Sequence, residues 1–306
     1  MRALVAVPGA PGGAELREVA EPELAPGHVL VRVEAVSLNR GEVRALATAP
    51  EGWRPGWDLA GVVERSGADP TAPPEGARVV GVVGEGAWAE LVAVPIRHLA
   101  PIPDEVRAAA ASTLPVAGLT AYRTLLIGGA SPDRPVLVTG AAGGVGHFAV
   151  QLAAHDGADV TAVVGHPGRG EKLRQLGAST VSVGMPAWGE YHTILESVGG
   201  RSLAAALGLS SHYGVVISYG NSSGETTTFD ARTVYRRSGR LHGFYVFAEI
   251  ERLGGATADL MMLAELVADG RLEAEVSLEA DWREAPAAFA ALMDRRVEGK
   301  AVLHVG

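Results

Sequence analysis

The segment Val136–Gly165, VLVTGAAGGVGHFAVQLAAHDGADVTAVVG, constrains the fold more than any other stretch of the chain. A short apolar run, Val136–Thr139, enters a glycine-rich turn, a helical pattern follows over Val145–His155, and a second apolar run spans Asp159–Val164. Strand, glycine turn, helix and strand in this order make a parallel βαβ unit whose turn is suited to a dinucleotide. Gly143 lets the backbone approach a diphosphate, and Gly146 lets the helix pack closely on the strand. Amide groups at Gly144 and Val145 lie at a helix N-terminus, where they attract an anion. The first glycine of the usual pattern is Ala141 here. By itself a glycine turn between strand and helix can be purely structural.

The rest of the chain agrees with this start. Before residue 114 the pattern is strands and turns: Val29–Leu38, Leu59–Glu64, Arg78–Val83 and Glu90–Val94 are separated by Gly and Pro, as in a small, mostly antiparallel barrel or sandwich. After it, helical stretches alternate with strands at Val181–Val183, Thr193–Glu196, Val215–Tyr219 and Leu241–Phe247. Gly254–Asp269 reads as a helix. Glu273–Leu278, Ala285–Met293 and Ala301–Val305 read as a last strand–helix–strand unit able to pair with the N-terminal part. The fold class is therefore α/β, a doubly wound parallel sheet plus a mostly-β domain, and 306 residues suffice for both.

Composition removes several function classes. No cysteine is present, which excludes a disulfide scaffold, a thiolate nucleophile and any cysteine-ligated zinc. The net charge of -9 argues against nucleic acid as a partner. No apolar run approaches the roughly 20 residues of a membrane span, and the opening MRALVAVPGA is not a basic, apolar leader. A cytoplasmic location is the expectation.

The end of the second strand bears on cofactor choice. NAD sites place an acidic residue there for the ribose hydroxyls. This chain has Gly165-His166-Pro167-Gly168-Arg169 instead. A guanidinium at Arg169 can fork onto a 2′-phosphate, with His166 and Lys172 nearby, so NADPH is the expected cofactor. Lys172 reads equally as a solvated helix charge.

Several motifs in order resemble the zinc-independent quinone oxidoreductases (the zeta-crystallin-like branch) of the medium-chain dehydrogenase/reductase family. They are Ser37-Leu38-Asn39-Arg40-Gly41-Glu42, Gly56-Trp57-Asp58-Leu59-Ala60-Gly61, Gly86-Ala87-Trp88-Ala89-Glu90, Leu114-Pro115-Val116-Ala117-Gly118-Leu119-Thr120-Ala121-Tyr122, the glycine turn, Glu196-Ser197-Val198-Gly199 and Tyr219-Gly220-Asn221-Ser222. The resemblance implies a GroES-like catalytic domain formed by residues 1–114 and 268–306, a Rossmann NADP-binding domain at 115–267, and an active site in the cleft between them. It implies cofactor contacts at Asn39, Thr120, Ala142, Gly143, Gly144, Val145, Gly165, His166, Arg169, Ser197, Tyr219, Gly220, Ser222 and Arg295, and a homodimer joined through the edge strand near Arg240–Phe247.

Departures matter as well. Zinc-dependent relatives place Cys near Ser37–Asn39, a His-Glu pair at Trp57-Asp58 and Cys near Val116, and all are replaced here. The connection from Val183 to Glu196 is too short for the usual crossover helix, and Gly184 stands where a tyrosine often flanks the adenine. The proton-assisting tyrosine of enoyl reductases has no counterpart. Trp53 lies in that region, and with Asn39 it is a candidate for the catalytic centre, although core packing explains an indole equally well. Trp57 and Trp88 read as packing rather than pocket walls, Glu42 and Asp58 as local caps and pairs rather than remnants of a polar site, and His242 and Tyr245 as edge-strand residues rather than polar groups of the site.

The expected activity is metal-free hydride transfer from NADPH to a quinone or conjugated enone. An enoyl-thioester reductase of polyketide or fatty-acid type and a non-catalytic NADPH-binding protein stand as alternatives.

Overall fold

A computed structural model describes residues 1–306. The chain divides into two compact units, Met1–Leu119 with Phe247–Gly306, and Thr120–Val246.

The first unit opens with an antiparallel hairpin, β1 (Arg2–Ala6) and β2 (Ala14–Glu18). The long strand β3 (His28–Ser37) then leads into α1 (Arg40–Ala45). Asn39 is extended and begins this helix with a capping box: its side chain accepts from the Glu42 amide, and the Glu42 carboxyl accepts from the Asn39 amide. The strands β4 (Asp58–Arg65), β5 (Arg78–Val82), β6 (Leu91–Pro95) and β7 (Leu99–Pro101) follow, then α2 (Ala108–Ala111) and a π-helical turn at Leu114–Gly118.

The second unit starts within α3 (Leu119–Gly128). It continues with β8 (Val136–Thr139), α4 (Gly144–His155), β9 (Val160–Val164), α5 (Glu171–Gln175), β10 (Thr180–Val183) and β11 (Tyr191–Glu196). The last elements are α6 (Gly200–Leu209), β12 (Ser210–Ser218), α7 (Arg232–Tyr235) and β13 (Arg240–Gly243). Its six strands form one parallel sheet in the order β10-β9-β8-β11-β12-β13. From the adjacent pair β8 and β11 the chain winds outward in opposite directions, the doubly wound arrangement. All residues of β8 and β9 are buried, which accords with their mostly apolar sequences, each broken by a single threonine. Between β10 and β11 the segment 184–190 carries no helix.

The chain returns to the first unit with α8 (Val246–Leu253), α9 (Thr257–Ala268), β14 (Val276–Asp281), α10 (Ala285–Met293) and β15 (Lys300–His304). β15 pairs antiparallel with β3 and parallel with β14, so the C-terminal strands complete the N-terminal sheet, ordered β14-β15-β3-β4-β5-β7 with β6 also on β3. Gly61 is required in β4, because a Cβ there would run into the carbonyl of Arg32 on β3.

One expectation needs correcting. The strand expected over Leu241–Phe247 ends at Gly243, and Val246 begins a helix. The run LHGFYVF is apolar enough for either state. The deciding features lie downstream: Val246 and Ile250 are buried one turn apart, and Glu249 pairs with Arg252 at 2.7 Å across i,i+3. By compactness, residues 115–119 and 247–267 group with the first unit. There the Ala256 amide donates to Arg97 O (2.8 Å), and Leu263 lies against Gly118.

The first unit's core includes Leu4, Val31, Leu59, Val79, Trp88, Trp282 and Phe289. Trp88 is fully buried and stacks on Phe289, with centroids 5.0 Å apart and planes at 24°. Trp88→Ala should therefore lower the unfolding free energy by about 3–5 kcal/mol, read from the urea midpoint; a loss under about 1 kcal/mol would mean that the ring is not a core element.

Candidate functional site

In the parallel unit the polar residues gather at the C-terminal ends of β8, β9, β11 and β12, where open α/β sheets bind ligands. β8 ends in Thr139 and turns at Gly140, whose φ is +59°. A Cβ on Gly140 would lie 2.6 Å from Ser197 Oγ, so the turn after β8 touches the turn after β11. Thr139 fastens the two: its hydroxyl accepts from the Ser197 amide (2.9 Å), and Ser197 Oγ donates to Thr139 O (3.2 Å). The Ala141 amide donates to Val163 O (3.1 Å), joining the same turn to β9. Gly146 permits this approach, since a Cβ there would stand 2.5 Å from Ala141 Cα.

The twelve-residue α4 opens behind Gly143, which is extended, and no side chain caps the helix. Its first amides, at Gly144 and Val145, are thus left to a ligand or water. Ala142 is buried, and Gly143, Gly144 and Val145 are partly exposed. At the end of β9 a Cβ on Gly165 would meet nothing within 4 Å, which leaves space beside the strand tip. His166 Nδ1 accepts from the Gly168 amide (3.2 Å) and holds the 3-10 turn Pro167–Arg169, the turn that carries Arg169.

Glu196 organises the other side. It is fully buried at the end of β11 and accepts from the amides of Val198 (3.1 Å) and Gly199 (2.9 Å), and from the hydroxyls of Ser202 (2.8 Å) and Thr139 (3.2 Å). Four donors offset its desolvation. Ser222 N donates to Ser197 O (3.0 Å), and Tyr219 N to Glu196 O (3.0 Å). The Tyr219 phenol, hydrogen-bonded to the Ser197 side chain, is pushed up in pKa by burial and by the nearby Glu196 charge, so it stays protonated. The structure thus brings Ser197 onto the glycine turn and gathers Tyr219, Gly220 and Ser222 around Ser197. Thr120 lies buried in the first turn of α3.

The remaining candidates, Asn39, Trp53 and Arg295, belong to the first unit. Asn39 is part of a buried network that sequence reasoning missed. Asp58, with a fully buried side chain, accepts at Oδ2 from Ser37 Oγ (2.6 Å) and Asn39 Nδ2 (2.8 Å), and at Oδ1 from the Val116 amide (2.9 Å). Lys300, 5% exposed, sets its ammonium 3.4 Å from Asp58 Oδ2 and donates to Asn39 Oδ1 (2.8 Å) and Leu38 O (3.1 Å). Beside them Glu42 accepts from the amides of Asn39 and Trp57, each at 2.6 Å. The only sequence signal for Lys300 was a lysine opening the otherwise apolar run AVL. Trp53 packs partly on the core, and its indole N–H donates to Glu85 Oε2 (2.8 Å). Arg295 is exposed at the end of α10, with a φ of +60°.

The positions where zinc-dependent relatives hold their metal converge on Asp58, but they offer a hydroxyl, an amide and an indole, and the carboxylate already faces an ammonium. Those residues do not fit a zinc ion, and no three His, Asp or Glu side chains converge elsewhere. A cavity of about 680 Å³, lined among others by Asp69, Ile96, Arg97 and Met261, contains none of the candidate residues. No helix is long and apolar enough to cross a membrane.

Two family models match in series, an alcohol dehydrogenase GroES-like domain over residues 25–104 and a zinc-binding dehydrogenase over residues 144–261. A spectinabilin polyketide synthase system protein, NorB of Streptomyces orinoci, is 34% identical over 94% of this chain and 13% of its own length. A chloroplastic quinone-oxidoreductase, QR1 of Triphysaria versicolor, is 36% identical over 56% of this chain and 57% of its own. The chain thus matches less than two thirds of the length of either relative. Among solved structures, the yhdH oxidoreductase of Salmonella enterica in complex with NADP superposes with a TM-score of 0.82 at 26% identity, covering 100% of both chains.

Burial, and then the Asp58 charge, raise the Glu42 carboxyl from 4.5 to about 8. The folded state therefore holds a proton that the unfolded chain releases, and stability should fall as pH rises from about 4.5 to about 8. Glu42→Gln should flatten that decline in urea midpoints taken across this range; an unchanged slope would show that Glu42 folds already ionised.

Proposed function

The chain belongs to the medium-chain dehydrogenase/reductase family, among its quinone oxidoreductase-like members, and from that premise we propose that it is an NADPH-dependent, metal-free reductase of quinones or conjugated enones. The observation that carries the reading is the uncapped N-terminus of α4, set behind a glycine turn that meets Ser197, with Arg169 and no carboxylate at the neighbouring strand tip.

When bound, NADPH supplies the hydride. The amides of Gly144 and Val145 hold its diphosphate, which Ala142 and Gly143 allow to come near the backbone. Gly165 leaves room for the adenosine ribose. Arg169 forks onto the 2′-phosphate, and His166 keeps the turn that presents it. Ser197, Tyr219, Gly220 and Ser222 line the nicotinamide half, with Thr120, Asn39 and Arg295 as further contacts. The cofactor-bound yhdH structure supports this assignment. Without a metal, hydrogen-bond donors must polarise the acceptor. That requirement favours quinones and enones, whose reduced forms are stabilised anions, over simple carbonyls. Trp53 stays a candidate wall for a flat acceptor. The exposed edge strand β13 supports a homodimer, to be checked by light scattering.

The match to NorB along 94% of the chain favours a second reading, reduction of enoyl thioesters. Purified protein with NADPH should oxidise the cofactor rapidly with an ortho-quinone. Rapid oxidation with a trans-2-enoyl thioester, yielding the saturated product, would establish the second reading instead, and no oxidation with either would overturn both. Arg169→Ala should weaken NADPH binding roughly tenfold or more while sparing NADH; equal losses for the two cofactors would remove Arg169 from the 2′-phosphate site.

A further inference from the structure

Of the 26 lysines and arginines in the chain, only Lys172 and Lys300 are lysines. The chain carries positive charge as arginine almost everywhere, yet keeps an ammonium at Lys300, which is 5% exposed at the start of β15. Geometry explains the choice. Three hydrogens diverge from one nitrogen and meet three acceptors: Asn39 Oδ1 (2.8 Å), Leu38 O (3.1 Å) and Asp58 Oδ2 (3.4 Å). A planar guanidinium cannot donate in three diverging directions from a single atom.

These contacts settle the Asn39 carboxamide, whose oxygen and nitrogen ends have nearly the same shape. Lys300 offers donors only, so it must face the oxygen. Asp58 accepts from every neighbour it has, so it must face the nitrogen, at 2.8 Å. The Glu42 amide adds a second donor to the oxygen through the helix cap. One Nδ2 hydrogen is thereby used. The other meets no acceptor, on a side chain that is only partly buried. The ammonium on Oδ1 also polarises the amide and strengthens that remaining N–H as a donor.

We propose that Lys300 is a positioning residue: with Asp58 it fixes Asn39 so that the unused Nδ2 hydrogen, and not the carbonyl, is offered to an oxygen in the nicotinamide half of the bound cofactor. That Asn39 meets the cofactor is the reductase reading, on which this role rests. The part played by Lys300 is additional to that reading.

Lys300→Met alone would strand the Asp58 charge in the interior and lose stability for that reason. In the double variant Lys300→Met with Asp58→Asn both charges leave together, and its Tm should stay close to that of the wild type. There the Val116 amide, a donor, holds the oxygen of residue 58, which turns its own nitrogen toward Asn39. Asn39 then rotates to present its oxygen, and its nitrogen goes to the Leu38 carbonyl that Lys300 has vacated.

Asparagine occurs only at Asn39 and Asn221, so 15N-labelled asparagine reports two side-chain amides by NMR. In the wild type one Asn39 proton should lie far downfield in its bond to Asp58, and NADP+ should shift the other. In the double variant the downfield proton should be lost and kcat with NADPH and an ortho-quinone should fall roughly tenfold or more. Affinity for adenosine 2′,5′-bisphosphate, a ligand of the phosphate-binding end alone, should be unchanged. A wild-type spectrum with two free, rapidly exchanging Asn39 protons would overturn the proposal without any substitution. So would an unmoved Asn39 signal or an unchanged kcat in the double variant, and each of these leaves the reductase reading standing. A wild type that neither binds nor oxidises NADPH would overturn both.

Discussion

The carboxylate of Asp58 is the point on which the first unit closes. It sits at the start of β4 and receives donors from the end of β3, from the cap of α1, from the π-helical turn at Leu114–Gly118 and from the first residue of β15. Residues 37 and 300, far apart in sequence, meet on one pair of oxygens. A buried ion pair contributes little net stability, because desolvation of both charges offsets their attraction. Its consequence is geometric. Lys300 and Asp58 hold opposite sides of the Asn39 amide, so that side chain has one defined orientation, and α1 begins where the amide allows. The cost of removing either charge alone, about 3–5 kcal/mol for a buried partner left unpaired, makes the network hard to alter piecemeal.

A similar economy operates at the sheet of the second unit. Glu196 is buried with four donors, and Thr139 bridges the ends of β8 and β11. Both side chains are spent on shaping two turns, and the shaped turns leave the amides of α4 uncapped. A rigid frame around unsatisfied backbone donors is what an anionic cofactor requires, since the groups that hold it need no rearrangement on binding. The glycines serve the same end. Gly140 and Gly146 stand where a methyl group would collide with Ser197 or Ala141.

The βαβ core was legible in the sequence because its signals are local. Val136–Thr139 is bounded as the sequence pattern indicates, and α4 begins one residue before the expected Val145. The absence of a helix between β10 and β11 was legible from length alone. The strand expected through Phe247 was not, because LHGFYVF carries no period that separates strand from helix, and burial of Val246 and Ile250 on one face decided it. In the candidate site, Gly143, Ser197 and Ser222 were singled out through motifs. Lys300 was not, since a lone lysine in an apolar strand carries no local mark of its partner.

The sequence by itself determined the doubly wound sheet, the glycine-rich turn before α4, the exclusion of cysteine chemistry and the family, for each follows from residue type and near-neighbour spacing. Tertiary structure alone decided which charges are buried together. It set Lys300 against Asp58 and raised the Glu42 carboxyl to about 8 beside them. The reason is physical. Desolvation and charge coupling depend on distances between segments far apart in the chain, and those distances exist only once the strands have paired.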